Sequence, residues 1–232
     1  MTAGRQAAAI DLVIFDCDGV LIDSEVISAR MLIAELAGHG VAIDMPYVAR
    51  HFLGRSYPVV LQNVRDSFGI DLPYSFEVDY RARLLAAFEA DLRVMPGIAE
   101  VIDRLRVPYC AATSSSPERA ARSLELTGLA GRFAGRLFTA AEVAHGKPAP
   151  DLFEHAAAKM GAQPARCLVI EDSLMGLRAA RAAKMRLCWF NGGSHIAGAA
   201  LPPEAPRPDD TLAGFAGFFM QFPDLLRKEA VP

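Results

Sequence analysis

Cysteine is scarce in this 232-residue chain, and Cys17, Cys110, Cys167 and Cys188 form no Cys-x-x-Cys pair. Neither a disulfide framework nor a zinc site is expected. Three of the four sit inside apolar runs, where cysteine acts as a small hydrophobe, and reduced thiols in the cytoplasm are the plain reading. No stretch approaches the roughly 18 apolar residues of a membrane span. Ala7-Ala8-Ala9-Ile10 is too short for the apolar region of a signal peptide and runs straight into Asp11. Basic charge is not in excess: 24 Lys+Arg face 27 Asp+Glu, a net charge of −3, so neither nucleic acid nor an anionic membrane is an expected partner. Polarity is also limited. With 52% hydrophobic and 22% charged residues, disorder is excluded and a sizeable core is within reach. The length suits one main domain with a smaller insertion, and a monomer is expected.

What is present begins with Leu12-Val13-Ile14-Phe15, an uninterrupted apolar run that suits a strand buried on both faces. It leads directly into Asp16-Cys17-Asp18-Gly19. Four further runs resemble it: Val107–Ala112, Gly135–Thr139, Cys167–Ile170 and Arg186–Phe190. Helical patterns lie between them. Residues 117–127 have Pro117 at the first helical position, a possible capping box of Ser115 with Glu118, and Gly128 as terminator. Residues 150–160 carry an apolar stripe, and 173–184 read as an Ala-rich helix with Leu174 and Leu177 inward. Alternating strands and helices predict an α/β fold with a parallel, Rossmann-like sheet. About ninety residues after the first strand lack a convincing strand. Helical patterns cover 24–38, 44–52, 56–68 and 75–90, the last with Val78, Ala82, Leu85 and Phe88 recurring. This predicts an all-helical cap over 23–92, inserted into a core of 1–22 and 93–232, with hinges near 20–24 and 92–96. A proline-rich loop and a final helix near 211–229 are expected to close the chain.

Ligands of a parallel sheet gather at the carboxyl ends of its strands. There the predicted strands deliver Asp16 and Asp18, then Thr113-Ser114-Ser115, then Glu171-Asp172, while the loop before residue 150 carries Lys147. Four acids in a small space need compensation, and a divalent cation is the simplest; all-oxygen ligands favour Mg²⁺. The cation, Lys147, a hydroxyl and the amides of a helix N-terminus together suit a phosphate. Thr113 is the candidate hydroxyl, with Ser114 or Ser115 taking the role if the strand ends later. One aspartate can attack phosphorus while the other exchanges a proton with the leaving oxygen and with water.

Asp16-Cys17-Asp18-Gly19-Val20, Thr113, Lys147-Pro148 and Glu171-Asp172-Ser173-Leu174-Met175-Gly176 resemble the four motifs of the haloacid dehalogenase superfamily, in order. The helical insertion resembles the cap of its β-phosphoglucomutase-like phosphatase branch. The resemblance implies Asp16 as nucleophile and Asp18 as general acid/base. It also implies a Mg²⁺ site of Asp16, the Asp18 backbone carbonyl and Asp172, with Glu171 in support. Thr113 and Lys147 would hold the phosphoryl group, with Ser114 nearby. The implied activity is a Mg²⁺-dependent phosphatase acting on a small phosphorylated sugar, sugar acid or polyol.

Other readings compete. A phosphomutase of this branch carries a His on its first cap helix, where this chain has Ser28, and an Arg where it has Tyr57, with Arg55 two positions earlier as a candidate substitute. A receiver-type phosphorylation switch lacks a large helical insertion and phosphorylates an Asp on a later strand. An inactive interaction protein is hard to square with an intact set of motifs. Gly54, Arg55 and Ser56 are the candidate specificity loop. His145, His155 and His195 are read as surface or helix residues, and Trp189 and Phe190 as core. Lys184 stands where related sequences have Gly, at the end of a helix.

Overall fold

The computed structural model describes residues 9–52, 55 and 57–227. Six parallel strands form one sheet in the order β3-β2-β1-β4-β5-β6. They are β1 Leu12–Phe15, β2 Tyr109–Thr113, β3 Leu137–Thr139, β4 Cys167–Glu171, β5 Arg186–Phe190 and β6 Asp210–Leu212. β1 sits centrally and is buried on both faces. Because side chains alternate along a strand, Val13 and Phe15 enter one apolar cluster while Leu12 and Ile14 enter the other. The strand order reverses beside β1, opening a crevice at the carboxyl ends of β1, β2 and β4.

Four helices lie between β1 and β2 before the chain returns to the core: α1 Glu25–Gly38, α2 Met45–His51, α3 Tyr57–Phe68 and α4 Ser75–Asp91. Their buried side chains join the same apolar cluster as Val13 and Phe15. In α4 the inward residues are Phe76, Tyr80, Leu84 and Phe88, whereas Val78 is 63% exposed. The helical period is as read from the sequence, but the stripe's phase is set by three aromatic rings. Burying each large apolar side chain is worth about 1.5–3 kcal/mol, so they outweigh Val and Ala as the inward set. Two linkers join this insertion to the core and pair with each other. Asp23 N–H donates to the Arg93 carbonyl (2.9 Å), Met95 N–H donates to the Leu21 carbonyl (2.9 Å), and Ile22 bridges Val94.

The core helices are α5 Ile98–Arg104, α6 Pro117–Leu126, α7 Asp151–Lys159 and α8 Leu174–Ala182, with the short α9 Phe218–Gln221 late in the chain. α5 has no counterpart in the sequence reading, although Ile98, Val101 and Ile102 mark its buried face. α6 is capped by Ser116, whose hydroxyl accepts from Arg119 N–H, rather than by a Ser115–Glu118 box. The expected final helix near 211–229 is replaced, over its described residues, by β6 and three short helical turns. Asp210 is held by the Arg186 guanidinium at 2.7 and 3.0 Å, which favours pairing with β5, and Gly214, Gly217 and Pro223 keep the later residues from forming one continuous helix. α8 ends with Met185 N–H donating to the Ala180 carbonyl (3.1 Å) and Lys184 at φ 58°. A lysine thus occupies the left-handed position that glycine adopts without strain.

Candidate active site

β1 and β4 are neighbours in register, so Asp16, one residue past β1, meets Glu171 and Asp172 at the end of β4. Lys147 reaches them from the loop before α7. Its ammonium donates to Asp16 Oδ1 (2.5 Å) and to Glu171 Oε1 (2.7 Å). All three side chains are almost wholly buried. Burial works against the lysine's charge, but Asp16 and Glu171 outweigh it and hold the ammonium above its usual range. Glu171 is tied down further by the Ser173 N–H (2.7 Å) and hydroxyl (3.1 Å). Gly176 leaves the room for this: a Cβ there would fall 1.6 Å from Glu171 Oε1.

One ammonium does not balance three acids. Carboxylate oxygens of Asp16, Glu171 and Asp172 lie within 4.8 Å of one another. Burial, then the neighbouring acids, push the carboxyl groups of Asp16 and Asp172 well above the usual range. Asp172 Oδ2 is buried without a hydrogen-bond partner. Three buried acids this close together, with one ammonium among them, fit a hard divalent cation. Gly19, at φ 78°, lets the chain turn away here, and a Cβ on it would fall 1.8 Å from Asp172 Oδ2.

Asp18 is built differently. Its side chain stands apart from that carboxylate group and turns toward α6. Oδ1 accepts from Ser24 (2.6 Å) and Arg119 (2.8 Å), and Oδ2 from Ser115 (2.6 Å) and, at 3.5 Å, from Thr113. Burial alone would raise this carboxyl, but the Arg119 guanidinium and the hydroxyls hold it below the usual carboxylate range. Thr113 is the last residue of β2, and its hydroxyl also accepts from Ser115 N–H (3.1 Å). Ser114 lines the cavity.

Above these residues the helical insertion closes a cavity of about 930 Å³, counting its open mouth. Asp16, Asp18, Thr113, Ser114 and Lys147 line one side, and Ser28, Arg55, Tyr57 and Arg81 contribute to the rest. Of the candidate specificity loop, Arg55 faces the cavity, whereas Gly54 and Ser56 lie outside the described residues. Arg119 crosses from the core to the insertion. It donates to Ser28 Oγ (3.1 Å) and lies over the Phe88 ring at 5.3 Å. From the insertion, Arg81 donates to Ser116 Oγ (2.6 Å).

Several of these groups escape the sequence reading: Ser24, Glu25, Ser115 as a partner of Asp18, Arg119 and His195. Glu25 lines the cavity, and burial together with Asp18 and Asp172 pushes its carboxyl up to about 8. Arg119 is the third residue of a helix that starts at the sheet's carboxyl edge, a position that signals site access. His145 is exposed and His155 lies on α7, as expected. His195 is not a surface residue: its side chain is 5% exposed and lies 3.1 Å from Asp172. The signal available for it was Gly192-Gly193-Ser194-His195, which starts two residues past the end of β5.

The model of the haloacid dehalogenase-like hydrolase family matches residues 10–184. The chain is 27% identical to 6-phosphogluconate phosphatase of Escherichia coli strain K12, over 80% of this chain and 85% of that one. It is 30% identical to hexitol phosphatase B of the same strain, over 80% and 84%. A haloacid dehalogenase-like protein of Agrobacterium tumefaciens superposes with a TM-score of 0.75 at 31% identity, covering 93% and 99% of the two chains. No described helix is long and apolar enough to cross a membrane. The chain therefore belongs to the haloacid dehalogenase-like hydrolase family, as a phosphatase.

Proposed function

We propose that the chain hydrolyses small phosphorylated sugars, sugar acids or polyols by way of an aspartyl-phosphate on Asp16, with Mg²⁺ as cofactor. The observation that carries this reading is the contact of Lys147 with both Asp16 and Glu171 beside Asp172, at the floor of a cavity that residues of the helices between β1 and β2 also line. Asp16, Asp172 and the Asp18 backbone carbonyl would hold the cation, with Glu171 in support. When bound, Mg²⁺ supplies charge stabilisation to the phosphoryl oxygens.

The chain's own residues then divide the work. An Asp16 oxygen forms a bond to phosphorus as the bond to the leaving oxygen breaks. Lys147 and Thr113 orient and neutralise the phosphoryl group. Asp18 delivers a proton to the leaving oxygen, which requires the hold of Arg119 to loosen. In the second step water attacks the phosphorus of the aspartyl-phosphate, Asp18 takes its proton, and Asp16 is released with inorganic phosphate. The cap excludes bulk water during both steps.

A phosphatase is preferred to a mutase because Ser28, where the mutase has His, is committed to Arg119 and to the Ser24 carbonyl. Among the arginines of the cavity, Arg119 is paired with Asp18 and Arg81 with Glu77, whereas Arg55 has no carboxylate partner among the described residues. That favours a substrate with a carboxylate or hydroxyl-rich tail. The test is phosphate release from sugar, sugar-acid and polyol phosphates, with Mg²⁺ or with EDTA, with Asp16→Asn beside the wild type. Mg²⁺-dependent release that the variant lacks is expected. Release that persists in EDTA or in the variant refutes the reading.

A further inference from the structure

His195 lies in the loop after β5, outside all four motifs, yet its ring is packed against the candidate metal centre. Its Nε2 is 3.1 Å from Asp172 Oδ2. Neither ring nitrogen has a well-aligned hydrogen-bond partner, and neither has Asp172 Oδ2. Two buried polar groups facing each other at that distance are each costly alone, and a small rotation makes them partners. The ring's seat is built by glycines. A Cβ on Gly19 would fall 2.8 Å from His195 Cε1, and one on Gly193 would fall 2.7 Å from Cε1 and 2.8 Å from Nδ1. The loop is also anchored: Ser194 N–H and hydroxyl donate to Asp23 Oδ1 at 3.1 and 2.8 Å. Asp23 is itself in the linker that pairs with Arg93. The groups facing the ring are thus Asp172 and Glu171 from the end of β4, Asp23 from the linker and Glu25 from α1.

We infer that His195 is a positioning residue for the metal centre: its imidazole donates to Asp172 Oδ2 and fixes the rotamer in which that carboxylate meets a divalent cation. The inference rests on the reading of Asp172 as a metal ligand. A carboxylate with one oxygen held by a neutral donor loses less freedom when a cation arrives, so affinity rises. The anchoring of Ser194 to Asp23 ties the same loop to the junction where the cap leaves the core.

The test is Mn²⁺ binding to the substrate-free full chain, measured by calorimetry, for wild type, His195→Leu, His195→Gln and Asp172→Asn. Thermal melts in EDTA set a temperature at which all four are folded. Leucine fills the site without a donor, whereas glutamine places an amide N–H near the position of Nε2. The expected result is Mn²⁺ binding weakened about 10-fold or more in His195→Leu, and within about threefold of wild type in His195→Gln. KM for substrate at saturating metal is expected to stay unchanged in both. Wild-type Mn²⁺ affinity in His195→Leu overturns the inference, as does equal weakening in the two variants, because then ring shape and not the donor matters. If Asp172→Asn also binds Mn²⁺ normally, the metal-ligand reading of Asp172 has failed. If only Asp172→Asn is weakened, that reading stands and the role of His195 is refuted.

Discussion

The floor and the wall of the cavity are held together in opposite ways. On the floor, Lys147, Asp16 and Glu171 are almost dry, and each side chain touches another charge. On the wall, Arg119 and Arg81 keep 21% and 34% of their side-chain surface exposed, and their contacts cross between core and insertion. A buried, interlocked floor has one arrangement and performs one reaction. A half-wet wall can rearrange around different tails without disturbing it. Reaction type and substrate choice are therefore separable here, and substitutions on the two surfaces should differ in kind.

The largest effect is expected on the floor. On the proposed mechanism Asp16→Asn removes the attacking oxygen and should lower kcat roughly 10³-fold or more; trapping experiments should find no phosphorylated protein, and activity near wild type would break the assignment. Lys147→Met leaves Asp16 and Glu171 buried without their cation. It should destabilise the metal-free protein by about 3–5 kcal/mol, as read by urea melts in EDTA, alongside loss of turnover. A melt that does not move would mean the floor is wetter than its burial implies.

Arg119 is the wall residue that also holds Asp18. Arg119→Met removes the charge that holds the Asp18 carboxyl below its usual range. The ionised form then loses its partner, so the carboxyl's pKa rises and the protonated acid survives to higher pH. The alkaline fall of kcat/KM should therefore move upward in pH; a profile that stays put, or moves down, would uncouple Arg119 from Asp18. A smaller effect is expected from Arg55→Ala on the wall: KM for a sugar-acid phosphate should rise several-fold, and KM for a polyol phosphate by less, as steady-state kinetics on both would show. The smallest lies far from both surfaces. Lys184→Gly relieves a left-handed lysine and should add about 1 kcal/mol of stability, a Tm rise of about 2–4 °C, without touching activity.

Legibility in the residues alone divides along the same line. Asp16, Asp18, Glu171 and Asp172 were legible because a short apolar run rarely ends in acids unless those acids are used, and the sheet brings such ends together. Lys184 was legible as a misfit, and its φ of 58° bears that out. The contacts of Ser115, Arg119 and His195 were not legible, because each depends on how a helix or loop start is aimed in space. β6 escaped on different grounds: three residues, Asp210-Thr211-Leu212, carry too little pattern to announce a strand, and an ion pair with Arg186 helps hold them in place. In α4, the period was visible while its phase was decided by which rings found neighbours.

The paired linkers have a consequence for how this chain can change. Ile22 and Val94 are bridge partners although about seventy residues separate them. The insertion therefore leaves and re-enters the core at a single doorway, like a cassette clipped into a slot. Replacing it with a loop one-tenth as long would alter the entropy of closing the chain by only about 2 kcal/mol. Chain entropy thus places little constraint on the size of what the core carries; the tighter constraint is the apolar cluster that the insertion shares with Val13 and Phe15, which any replacement would have to cover again.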